Sequence, residues 1–387
     1  MAFLIVLFCL PVEPRKEGEV PENPPNFEEI VSVQAAGHRR YLPQLDFATA
    51  FTREAVSRID IGGVILSLAF SILLVFALQE GNVDFPWSSP TIIATLTVSV
   101  VSFILFVLWE EWVVGDHRRT LSPRLLNHSM MPTNACEPVF PMRLTKHRIL
   151  ACLMATSFLT GFPFMTALFN LPQRFQTANQ LSATASGVRL LPLLLSSSFS
   201  TALVGAILKT VGKGSTRVLW YLIVIGSVLQ FIGIILLSTD LGTQQEVRPQ
   251  QYVYQTILGC GIGLILSCLV IACRVEALEA DIAVVMGAIV QVRVLGGCIA
   301  LAICSALLNH WLEVKLQGVV SREEMAELLK STQYMRGLGQ ERFEIVRKVY
   351  ADGYALQMKV MIAFAGAAMV TAMGVWRREW KVIEGLG

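Results

Sequence analysis

Charge and histidine are scarce in this chain, and acidic residues are missing from its apolar runs. Only 16% of the 387 residues are charged while 54% are hydrophobic, which excludes an ordinary soluble globule of this length and fits a membrane protein. The five histidines (His38, His117, His128, His147 and His310) never repeat at metal-ligand spacing, so no metal site is expected. The eight cysteines form no CxxC pair and no cluster with histidine. Seven lie in or beside apolar runs and Cys136 lies in a basic loop, a distribution that argues against a disulfide framework, zinc or thiol redox chemistry. No paired acids, histidines or nucleophile stand at matched depth in the apolar runs, so neither an enzyme nor a cofactor is expected. A net charge of +2 says little about partners. Those expected are the lipid bilayer and a hydrophobic small molecule, with no nucleic acid.

What the chain has is length without charge. Eight apolar runs, 61–78, 90–108, 149–171, 190–208, 218–239, 252–273, 282–309 and 360–376, are long enough to cross a hydrocarbon core as helices. Lipid leaves only helices or closed barrels to satisfy the backbone, so the fold class is an all-α, multi-pass membrane bundle. Residues 1–12 are apolar but too short to span and read as a stub. Residues 13–58 are polar, Pro- and Glu-rich and then basic, and read as a partly disordered loop. Two spans occupy 59–113, a basic loop 114–147, six spans 148–376 with a long connection over 310–357, and a tail 377–387.

Positive residues set the expected orientation. Arg118, Arg119, Arg124, Arg143, Lys146 and Arg148 follow the second span, Lys209, Lys213 and Arg217 the fourth, and Arg377, Arg378 and Lys381 the eighth, whereas 79–89 carries no basic residue. The two terminal segments and the 114–147 loop are therefore expected in the cytoplasm and the 310–357 connection outside. On this map Asn127, in the sequon Asn127-His128-Ser129, stays unmodified, and the tryptophans fall near span ends. Ser321 and Glu324 stand at capping-box spacing, which predicts a short surface helix within 310–357.

One charge interrupts the seventh run. Arg293 lies near its middle, where a guanidinium costs about 2.5 to 3.5 kcal/mol on insertion scales and must face protein or water. No Asp or Glu lies inside the eight runs, Asp60 and Glu276 being at their edges. Its expected partners are Gln291, backbone carbonyls, water, a bound anion or a carboxylate from outside the chain, and either a structural pairing or direct substrate contact fits. Phe158, Phe162, Met165 and Phe169 form one helical stripe, with Asn170 following. That stripe reads either as ordinary packing or as the wall of an apolar ligand site. Gly259, Gly261 and Gly263, and Gly296 and Gly297 beside the arginine, suit close helix approach or a hinge. Pro163 introduces a kink or a freed carbonyl within the third span, and Pro192 is a further packing or hinge candidate.

Five phrases recur in the order of a known family: RIDIGGVIL from Arg58, FPWSSPTII from Phe85, SGVRLLPLLLS from Ser186, YQTILGCGIGL from Tyr254 and VRVLGGCIALAI from Val292. The chain resembles the fourteen-helix drug:proton antiporters of the major facilitator superfamily, particularly fungal multidrug, toxin and secondary-metabolite efflux pumps. The resemblance implies that the spans of 59–113 are linker helices and that 148–376 is the six-helix C-terminal bundle. It also implies that about six helices precede this region in the family, so the chain resembles a C-terminal half with the N-terminal bundle missing. Activity is then expected to need an N-terminal half or a homo-oligomer, in the plasma membrane. A non-transporting scaffold or inactive half-transporter is the alternative.

Overall fold

The computed structural model describes residues 60–81, 85–86, 88–120, 147–211, 215–240, 247–277, 282–330 and 332–377. The stub 1–12, the 13–58 loop, most of the basic loop with Asn127, and the tail beyond 377 lie outside the described residues. Every described apolar run is helical. The helices are α1 (Ile61–Glu80), α2 (Pro90–Thr120), α3 (Arg148–Thr177), α4 (Ala183–Val188), α5 (Leu191–Thr210), α6 (Thr216–Asp240), α7 (Gln250–Glu276), α8 (Ile282–Lys315), α9 (Arg322–Lys330) and α10 (Gln340–Met373), with a 3₁₀ turn at Thr332–Gly337. Seven of them are long and apolar enough to cross a membrane. α1 is apolar over Ile61–Ala77, 17 residues, a shorter apolar helix than those seven.

The helices α1 and α2 form a hairpin fastened at one end by Asp60. Its Oδ1 accepts from the Gly63 amide and from Trp109 Nε1, both at 2.8 Å, so one carboxylate caps α1 and holds the indole of α2. A Cβ at Gly62 would lie 2.8 Å from that indole, which leaves glycine as the residue that fits. Ser99 Oγ donates to the Phe70 carbonyl at 3.0 Å midway along the pair. Much of α2 is apolar and exposed, including Ile93, Val100, Phe103 and Leu108, a surface suited to lipid rather than water.

α3 is the central helix of the remaining bundle and packs against α8, α10, α7 and α6, while α5 lies on α7, and α6 joins α7 to α10. α1 connects the hairpin to this bundle through α8. The GCGIG run explains the tight centre. Cβ atoms at Gly259 and Gly263 would come within 2.4 and 2.1 Å of the Leu193 and Ser197 carbonyls of α5, and one at Gly261 within 2.5 Å of the Gln230 amide of α6. One helix thus approaches two neighbours at backbone distance through three small residues. Pro192 sits in the first turn of α5, where a missing N–H costs nothing.

The bundle has a basic end and a far end. At the basic end Arg148 donates to the Trp376 carbonyl at 2.7 Å, Trp376 lies edge-on to Trp220 with centroids 4.8 Å apart, and Arg377 pairs with Glu276. At the far end, the stretch 310–357 is largely helical. α8 runs on to Lys315, α9 covers 322–330 and α10 begins at Gln340, well before the apolar run at 360. The reason is amphipathicity: Val346, Tyr350 and Tyr354 fall at helical spacing and bury against Leu312, Leu316 and Leu328, while intervening polar residues lower the hydropathy. Both arms of the Ser321–Glu324 box form, Ser321 N to Glu324 Oε2 at 2.8 Å and Glu324 N to Ser321 Oγ at 3.1 Å.

Candidate functional site

The site region is the seam where α3 crosses α8. Three glycines set the distance between the helices: a Cβ at Gly161 would lie 2.2 Å from the Arg293 carbonyl oxygen, one at Gly296 2.2 Å from the Phe158 oxygen, and one at Gly297 2.1 Å from Met165 Cγ. Ser157 Oγ adds a hydrogen bond to the Ile289 carbonyl at 2.7 Å. Gly296 and Gly297 therefore act in packing, and α3 supplies a third glycine, Gly161, that the pattern around the arginine did not single out.

Arg293 is buried in this seam, with 6% of its surface exposed. Its guanidinium makes no hydrogen bond or ion pair with any described residue. Gln291, expected as a partner, is exposed and does not meet it. A buried cation without a matching anion is costly, and sites that retain one hold it for binding or for pairing with another group.

The aromatic stripe divides. Phe162 is buried, stacked on Phe364 of α10 at 4.0 Å and edge-on to Phe158 at 5.3 Å. Phe158 and Met165 lie against the glycines of α8, whereas Phe169 is 49% exposed. Three of the four residues thus occupy helix contacts, and the fourth faces away from the bundle. Pro163 is buried within α3 beside them.

A polar stripe runs along the same helix and was the less obvious feature. Thr156, Ser157, Thr160, Thr166, Asn170, Arg174 and Thr177 are all buried. Asn170 Nδ2 donates to Gln357 Oε1 at 2.8 Å, and Gln357 Nε2 donates to the Cys304 carbonyl at 2.7 Å, so α3, α10 and α8 are linked by one chain of amides. Thr166 Oγ1 lies 3.6 Å from Cys304 Sγ in the same cluster. Gln230 of α6 donates to the Thr160 carbonyl at 3.2 Å. Arg174, which the hydropathy boundary places outside the third span, lies inside α3 with none of its surface exposed, Nη1 3.4 Å from Asn179 Oδ1. Glu110 is likewise fully buried, within the candidate span Pro90–Trp112 of α2, just beyond the run that held no acid. The signals for these residues were in the sequence: Gln230 and Gln255 interrupt apolar runs, and Arg174 and Glu110 sit within one turn of them.

Chemically, the seam offers one buried guanidinium, several neutral donors and acceptors, and apolar walls. That composition suits noncovalent recognition of a largely hydrophobic molecule.

No protein-family model matches the chain. It is 38% identical over 333 residues to the MFS-type transporter FPY5 of Fusarium mangiferae, an overlap of 86% of this chain and 52% of that protein. It is 25% identical over 335 residues to the efflux pump dotC of Dothistroma septosporum, covering 84% and 52%, and 24% identical over 335 residues to the aspyridones efflux protein of Neocamarosporium betae, covering 85% and 54%. The chain spans about half the length of these curated relatives. It is an all-α, multi-pass membrane protein, similar over most of its length to major facilitator transporters and efflux pumps.

Proposed function

We propose that this chain is the C-terminal part of a fourteen-helix major facilitator carrier that exports hydrophobic small molecules, such as a toxin, drug or secondary metabolite, by proton antiport across the plasma membrane. The observation that carries the reading is the overlap with an MFS-type transporter over 86% of the chain and with efflux proteins over 84 and 85%, on a bundle whose α3–α8 seam buries Arg293. Carriers of this architecture bind substrate between two pseudo-symmetric halves and rock one against the other. The described bundle supplies one wall, in which Arg293 and the α3 side chains contact substrate. The opposing wall comes from an N-terminal half or from a second copy. Antiport also needs a group that gains and loses a proton, and Glu110, a buried carboxyl in α2, is the candidate. The terminal segments lie in the cytoplasm on this reading.

The test is proton-driven efflux of a lipophilic dye from sealed vesicles, with the chain alone and with a relative's N-terminal half supplied. Dye movement only in the paired sample supports the proposal. Equal transport by the chain alone defeats the need for an N-terminal half and leaves a second copy as the opposing wall, and no transport in either sample defeats the carrier reading.

A further inference from the structure

Two side chains near the far end of α7 have no role in the packing just described. Gln251 is 1% exposed and Gln255 not at all, and none of their four amide N and O atoms makes a hydrogen bond to any described residue. They lie four residues apart, on one face of the helix. Other buried amides of the bundle keep at least one hydrogen bond: Asn170 and Gln357 bond one another and a backbone carbonyl, and Gln230 donates to the Thr160 carbonyl although its Oε1 is unmatched. An orphaned buried amide is worse for stability than an apolar side chain of its own shape, so these two are not explained by holding the fold together.

Their surroundings follow from the register of α6 against α7. Gly226 would place a Cβ 2.9 Å from Ile265 Cγ1, and Gly233 one 2.7 Å from Leu258 Cα, so each seven residues outward on α6 match seven back on α7. The next step brings Asp240 level with Gln251. Asp240 is also within ion-pair reach of Arg248, at 4.0 Å. Asp240 thus already faces the guanidinium of Arg248 and interacts electrostatically with that of Arg174, whereas the two glutamines carry no charge of their own. A carboxamide, in contrast, presents a donor and an acceptor together.

We infer that Gln251 and Gln255 form a binding subsite for a neutral hydrogen-bonding group, an amide, lactam or hydroxy-carbonyl, carried on an otherwise apolar ligand. This deepens the carrier reading by naming a group the substrate bears, and it rests on that reading for calling the ligand a substrate. Binding itself is measurable without transport. The full chain in lipid nanodiscs is dialysed against radiolabelled decanamide and, separately, methyl decanoate, with empty nanodiscs subtracting partition into lipid. Decanamide is expected to bind about tenfold more tightly, the worth of one or two net hydrogen bonds. Gln251→Met and Gln255→Met, close in shape but without the amide, are expected to abolish that preference, leave methyl decanoate unchanged, and leave the thermal midpoint the same or higher. Equal binding of the two probes by the unmodified chain overturns the inference and assigns the amides to hydration alone. A Met variant that keeps the preference, or that unfolds at a lower temperature or fails to fold, overturns it as well. Absence of dye efflux from both vesicle samples, with the amide preference intact, would sink the carrier reading and leave this site standing.

Discussion

Arg293 and Gly161 touch the same crossing, yet substitutions there should move stability in opposite directions. The guanidinium is buried without a partner among the described residues, so Arg293→Gln removes an uncompensated charge and should raise the thermal midpoint by an amount equivalent to about 2 to 3 kcal/mol. If the residue contacts substrate, the same change should lower dye efflux by roughly 10- to 100-fold, the worth of a hydrogen bond to a charged group. A fall in both stability and efflux would instead mark Arg293 as paired within the fold. Gly161→Ala drives a methyl into the Arg293 carbonyl at 2.2 Å and should destabilise by about 1 to 3 kcal/mol. Gly287→Ala on α8 has open space around it and should be neutral or stabilising by up to about 1 kcal/mol. Thermal unfolding of the three variants in nanodiscs checks the stabilities, and the vesicle dye assay with the N-terminal half supplied checks the efflux of the Arg293 variant.

At the scale of elements, the apolar runs were legible because lipid demands long uncharged helices, and 149–171 or 252–273 could hardly be anything else. Helix ends were not, because hydropathy reports where lipid begins rather than where hydrogen bonding stops. α10 starts at Gln340 although its apolar stretch starts at 360, since Tyr350 and Tyr354 bury their rings between helices beyond that stretch. The same blindness left Arg174 outside the third run, although it lies within α3. Within the site, the arginine and the glycines stood out, because a charge in lipid and a run of small residues are rare. The pairing of Asn170 with Gln357, 187 residues apart, could not be read from either segment alone. The surface helix α9 was legible because its signal is local, and it should behave locally. Glu324→Ala breaks one arm of the capping box and the contact of Arg342 with Glu324 Oε1 at 3.4 Å. It should cost about 0.5 to 2 kcal/mol, seen as faster amide hydrogen exchange over Arg322–Lys330, with α3 and α8 unchanged. Protection lost throughout the bundle would mean that α9 is a structural keystone rather than a cap.

The two ends of the whole molecule differ in how their charges are held, and that difference predicts sidedness. Arg148, Lys209, Arg217, Arg274 and Arg377 gather at the basic end of α3, α5, α6, α7 and α10. At the far end Arg174 is buried, Arg248 lies near Asp240, and Arg342 and Arg347 pair with Glu324 and Glu344 at 3.4 and 3.3 Å. Orientation is set by lysine and arginine in short loops near span ends, with acids counting little, and the 310–357 connection, at about 50 residues, approaches the length at which the rule weakens. On the proposed orientation the short loops decide, and the basic end is expected in the cytoplasm. A glycan acceptor created in the turn after α8 by Gln317→Asn with Val319→Thr should be modified in a eukaryotic host, whereas the native Asn127-His128-Ser129 should not. An endoglycosidase-sensitive shift in the double variant and none in the parent fixes that arrangement. Modification of Asn127 in the parent would invert the molecule, moving Gln251 and Gln255 to the cytoplasmic end and turning the proposed subsite from one near the exit into one near the entrance.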